Sequence, residues 1–116
     1  MSSKENRIDF HNELLNLMKF FDDQGNEKYL TKNIYFQPPE NVQMEYPAIV
    51  YSRYNINNVS ANNELYLQGT YYQVVVLDKD PDSEIVNKIS HFPTAKYSRH
   101  FTTSGLNHDV FIIYYK

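Results

Sequence analysis

The chain has no cysteine and no tryptophan, and only 3 glycines among its 116 residues. Without cysteine, disulfides and thiolate zinc sites are excluded, which fits a reducing compartment. No apolar run approaches the 18 residues that a membrane helix needs. The opening residues, MSSKENRID, are polar and do not read as a signal peptide. A soluble protein without a membrane partner is therefore expected. There is no basic cluster, the formal charge is -3 and the pI is near 5.7, so affinity based on neutralising phosphates is not expected. Low-complexity stretches, internal repeats and a linker are likewise missing, and a chain of this length folding as one domain buries roughly two-thirds of the surface it exposes unfolded.

What the chain does have is 11 Tyr and 7 Phe. Much of its apolar mass is aromatic and carries a hydroxyl that needs a partner, a composition suited to sheets and interfaces. Residues 70–92, TYYQVVVLDKDPDSEIVNKISHF, form the centre of the pattern. Tyr71 to Leu77 are β-branched or aromatic, whereas Ile85, Ile89 and Phe92 recur at helical spacing, so the period switches from 2 to about 3.6 across the acidic turn. The predicted unit is a strand running into a helix, with Asp80 as N-cap, Pro81 at the first helical position, and Asp82 and Glu84 facing the positive end of the dipole.

Before this unit, residues 3–21 predict a first helix whose stripe is Ile8, Leu14, Leu15, Leu17, Met18 and Phe21, started by Ser2 or Ser3 and ended by Gly25. A short edge strand follows over residues 30–36, stopped by Gln37-Pro38-Pro39. A second strand occupies residues 48–55 after Tyr46-Pro47. Residues 55–63, NINNVSANN, contain five Asn and read as a long hairpin loop or a projecting arm. The third strand, residues 64–77, is apolar on both faces and exceeds the usual length, so Gly69 is expected to mark a bulge and both faces to be covered. After the second helix, residues 96–103 alternate Tyr97, Arg99 and Phe101 against Lys96, Ser98 and His100. A turn at residues 104–108 leads into VFIIYY at residues 110–115.

The predicted fold is α+β, in the order α-β-β-β-α-β-β. An antiparallel or mixed sheet of four to five strands carries two helices mainly on one face. The other face then offers Tyr and aliphatic side chains to a second subunit.

Catalytic and metal chemistry finds little support in the pattern. Asp78, Asp80 and Asp82 begin like a calcium loop, but Ser83 stands where the sharp turn needs Gly and Ile89 where a bidentate Glu belongs. The histidines His11, His91, His100 and His108 fall on separate elements without zinc spacing. His108 with Asp109 is a conceivable pair but lacks a nucleophile elbow or a phosphate loop. No enzyme activity, cofactor or metal is expected. One further reading stays open: a small cytoplasmic binding module that uses the aromatic sheet for a peptide, a ligand or single-stranded nucleic acid.

Several features together resemble the tail terminator (tail completion, neck) proteins of long-tailed bacteriophages. These are the N-terminal amphipathic helix, Tyr46-Pro47-Ala48-Ile49-Val50-Tyr51, the Asn-rich segment, the Tyr71 to Leu77 strand, Asp80-Pro81-Asp82-Ser83-Glu84 and the closing aromatic hairpin. The similarity spans nearly the whole chain. It lies in length, element order and texture.

The resemblance implies a virion protein at the head-tail junction, made in the bacterial cytoplasm. Its homo-oligomer, a hexameric ring, caps the tail tube and binds tail tube protein on one side and a head-completion or stopper protein on the other. DNA passes through the lumen without specific binding. Protomers then meet through sheet edges and extended loops, here Tyr54, Asn57, Asn58, Asn62, Asn63, Tyr66 and Tyr72. Asp78, Asp80, Asp82 and Glu84 are the candidate lumen acids, because a surface that repels phosphate lets DNA slide.

Overall fold

A computed structural model describes residues 3–54 and 69–116. Helix α1 spans Ser3–Met18, and strands β1 (Lys19–Phe21) and β2 (Glu27–Tyr29) form a separate hairpin. The large sheet contains β3 (Ile34–Phe36), β4 (Ala48–Arg53), β5 (Thr70–Asp78), β6 (Ala95–Thr103) and β7 (Leu106–Tyr115). Helix α2 (Glu84–Ser90) lies between β5 and β6. The strand order is β3-β4-β5-β7-β6, with β3 parallel to β4 and the other pairs antiparallel. This is the expected α+β fold with a mixed five-stranded sheet, enlarged by one small hairpin.

That hairpin corrects the expected end of the first helix. The stripe through Phe21 predicts helix, yet the chain leaves it at Met18, and Phe21 is 65% exposed. Residues 19–21 pair instead with residues 27–29. The turn between them is held by Asp22, whose Oδ1 accepts from the backbone N–H of Gln24 (2.9 Å) and of Asn26 (2.8 Å). These bonds, led by the Asn26 backbone N–H, lower the Asp22 pKa. Gly25 ends no helix; it sits in this turn at φ 81°, where a Cβ is unfavourable. The buried seam of α1 also differs from the expected stripe. Asn6, Phe10, Leu14 and Met18 repeat every fourth residue and are buried, whereas Ile8 is 40% exposed.

Both helices pack on the same face of the sheet. Phe10, Leu14 and Met18 of α1 and Ile85 and Ile89 of α2 share one core with Ile49, Tyr51, Tyr72, Val74, Val76, Phe111 and Ile113. In β5 the residues toward the helices are buried, while Tyr71, Gln73 and Val75 between them are half-buried. The strand register adds Val50, Ile112 and Tyr114 to that second face, which neither helix covers. The expectation that both faces of β5 are covered is met by the helices on one side; on the other, Leu77 is buried while Tyr71, Gln73 and Val75 are half-buried.

Local chemistry explains the remaining boundary shifts. The strand expected from residue 30 begins only at Ile34, because Thr31 Oγ1 donates to the Pro47 carbonyl (2.8 Å) and accepts from the Asn33 N–H (3.0 Å), fixing a bend. β3 is an edge, as expected. Helix α2 is capped not by Asp80 but by Ser83, whose Oγ accepts from the Ile85 N–H at 3.2 Å. Asp80 and Pro81 lie in the turn before it. The part of the third predicted strand at residues 64–68 lies outside the described residues.

In β6 the expected alternation breaks between Tyr97 and Arg99, where one extra residue is accommodated as a bulge. Lys96, Arg99 and Phe101 consequently share the face of Ile112, Val110 and His108. Tyr97 and His100 share that of Phe111 and Asp109. The turn into β7 is shorter than expected, only Ser104 and Gly105, both at positive φ (54° and 76°), which is the two-residue hairpin geometry that matches strand twist.

Candidate functional site

The polar side chains that converge most closely lie between α1 and the sheet. Tyr51 and Tyr72 have no exposed surface, yet each carries a phenol that must be satisfied. The Tyr72 hydroxyl donates to Asn6 Oδ1 at 2.6 Å, and Asn6 Nδ2 donates to the Tyr115 carbonyl at 3.2 Å. The Tyr51 hydroxyl lies 2.7 Å from His11 Nδ1. Burial raises the Tyr51 pKa and keeps that phenol protonated, while burial first and the Arg7 charge second lower the His11 pKa. A neutral His11 then accepts through Nδ1 from the Tyr51 O–H.

Two guanidinium groups flank this seam. Arg7 stands 4.9 Å and Arg53 5.0 Å from the centroid of the Phe36 ring, favourable distances for a cation over an aromatic face. Arg7 Nε is buried without a hydrogen-bond partner among the described residues. The arrangement fixes α1 on β4 and β5. A buried phenol with a raised pKa is a poor nucleophile at neutral pH, so the seam reads as an internal joint rather than a reaction centre.

One pH effect follows from it. Unfolded His11 takes up a proton as pH falls through its ordinary value of 6.5, whereas folded His11 resists until lower pH. In that window the unfolded state binds more protons, so stability falls as pH falls; above it the group contributes nothing. His11→Gln should therefore lose less stability than the parent between about pH 7.5 and about pH 5, measured by urea melts.

The other sequence candidates separate. In the acidic turn, Asp78 Oδ1 accepts from the Asp80 N–H (3.0 Å) and Asp80 Oδ1 from the Asp82 N–H (2.9 Å), two successive side-chain-to-backbone turns. Asn107 Nδ2 donates to the carbonyls of Asp78 and Lys79 at 3.2 and 3.3 Å and ties the turn to β7. Asp80, Asp82 and Glu84 are exposed. A cleft of about 220 Å³ lined by Tyr46, Pro47, Asp78 and Lys79 opens beside them, smaller than the usual ligand pocket. Among the described residues, no group of three or more His, Asp or Glu is placed to hold a metal.

His108 and Asp109 are adjacent in β7 and therefore point to opposite faces. His108 stacks on Phe101 (4.5 Å, 20°), and Asp109 accepts from the Tyr97 hydroxyl at 2.8 Å. Of the expected interface residues, Tyr54 is 41% exposed. Tyr72 is different: it is fully buried under α1 within its own chain, where no partner could reach it. Asn57, Asn58, Asn62, Asn63 and Tyr66 lie outside the described residues. No described helix is long and apolar enough to cross a membrane.

Sequence reasoning missed Asn6, Arg7 and Phe10. The available signal was the four-residue repeat Asn6, Phe10, Leu14, Met18, in which one polar residue takes a core position. Comparisons with protein families, with curated proteins and with solved structures find no match to this chain.

Proposed function

We propose that this chain is a structural subunit that works by assembling with copies of itself, in the manner of the tail terminators its sequence resembles. In this reading it forms a ring that ends a phage tail tube and joins it to a head-completion or stopper protein, with DNA passing through the lumen. The observation that supports it is the second face of the large sheet. Tyr71, Val75, Val50, Ile112 and Tyr114 are half-buried there around the buried Ala48, Leu77 and Val110, and both helices lie on the other side. A face of this kind is commonly completed by another subunit. Exposed Asp80, Asp82 and Glu84 suit a surface past which DNA slides.

Light scattering and negative-stain imaging of the purified chain test the reading. The expected result is a closed ring with a mass near that of a hexamer, reduced to smaller species by Val75→Glu or Ile112→Glu on the open face. A monomer persisting at concentrations of about 100 μM, well above ordinary assembly affinities, would overturn it.

A further inference from the structure

The two edges of the large sheet are finished differently. β3 is three residues long and runs into Gln37-Pro38-Pro39, and paired prolines offer no donor to a further strand. β6 at the other edge is nine residues long, contains neither Pro nor Gly, and among the described residues is paired on one side only, by β7. Every residue of β6 after Ala95 is exposed. A row of unpaired backbone N–H and C=O groups of this length is a template for an additional strand.

The side chains along that edge carry one sign of charge. Lys96 and Arg99 occur among the nine residues of β6, and no carboxylate does. The bulge between Tyr97 and Arg99 brings Lys96 and Arg99 to one face together with Phe101, while Tyr97 and His100 stand on the other, where His100 lies opposite Asp109. Tyr97 is 54% and Phe101 41% exposed, each offering apolar surface beside a basic group. Neither Lys96 nor Arg99 pairs with a carboxylate: among the described residues the ion pair is Lys19 with Glu27. All this sits in a chain whose net charge is -3.

We propose that β6 is a docking edge for an extended, acidic segment of another protein, which adds to the sheet as a sixth strand. The backbone ladder supplies attachment, and Lys96 and Arg99 select Glu or Asp at cross-strand positions on the face they share. The same cations work against a second β6 in this place, because two such strands would set basic residues against basic residues. The inference does not depend on the ring reading.

The test uses the full chain and a synthetic peptide of about eight residues alternating Glu with Val, beside a counterpart with Lys in place of Glu. Hydrogen exchange and chemical-shift perturbation follow the β6 amides. The acidic peptide should slow exchange along β6 and perturb β6 ahead of any other element. The Lys peptide, and Lys96→Glu/Arg99→Glu with the acidic peptide, should each bind about tenfold more weakly or worse. Both substituted side chains are exposed, and circular dichroism checks that the fold survives. Equal binding of the two peptides, or no binding at millimolar peptide, would overturn the proposal and leave these charges as guards against self-pairing. Protection of β6 in the free protein together with a doubled mass would also overturn it, and would assign the edge to a second copy.

Discussion

Phe10→Ala is expected to lower the unfolding free energy by about 3–5 kcal/mol and the thermal midpoint by more than about 10 °C. Phe10 has no exposed surface and stands where four rings meet. It stacks on Tyr72 at 4.3 Å and 6°, meets Tyr51 edge-on at 5.6 Å and Phe92 at 6.0 Å, and tilts against Tyr115 at 5.3 Å. One side chain thus joins α1 to β4, β5, β7 and the end of α2. An alanine would leave a cavity that its walls cannot close, because Tyr51 and Tyr72 are tethered by their phenols to His11 and Asn6. The lost ring pairs add to the transfer cost. Phe10→Leu, which keeps most of the volume, should lose about half as much or less. Urea melts measure both. A loss for Phe10→Ala below about 1 kcal/mol would mean that α1 is not docked through this residue.

How far the sequence disclosed this architecture depends on whether a feature is local. β4, β5 and β7 are legible because Ile49, Tyr51, Val74, Val76, Phe111 and Ile113 recur at period two on one buried face. The existence of α1 is legible for the same kind of reason, but its end is not. Phe20 and Phe21 extend an apolar run equally well in a helix or a strand, and what decides between them is pairing with residues 27 and 28 across a turn. The start of α2 moved because Asp78 and Asp80 spend their carboxylates on backbone N–H groups of the turn, a use of Asp that competes with capping.

The edge character of β6 is the least legible feature. It arises because β7, the next strand in sequence, inserts between β5 and β6. The bulge that regroups Lys96 with Arg99 is a single residue, invisible to any alternation rule. The seam under α1 was half legible. Tyr51 and Tyr72 announce themselves as strand aromatics, whereas Asn6 looks like an ordinary polar residue until its partners, far away in sequence, are known.

Those partners make Asn6 the second strong test. Asn6 is 4% exposed and accepts from the Tyr72 hydroxyl while donating to the Tyr115 carbonyl, a contact spanning 109 positions in sequence. Asn6→Ala would remove both bonds and leave the Tyr72 phenol buried without an acceptor, so a loss of about 2–3 kcal/mol is expected. Tyr72→Phe removes only the donor and leaves Asn6 Oδ1 unpaired, for about 1–2 kcal/mol. The double variant decides the matter. Once Asn6 is gone, replacing the phenol by a phenyl ring no longer breaks a bond and even relieves an orphaned hydroxyl. The two losses should therefore fall short of adding by about 1–2 kcal/mol in a double-mutant cycle. Strict additivity would mean that the 2.6 Å contact contributes nothing, and that α1 is held to the sheet by its apolar packing and the His11–Tyr51 bond without it.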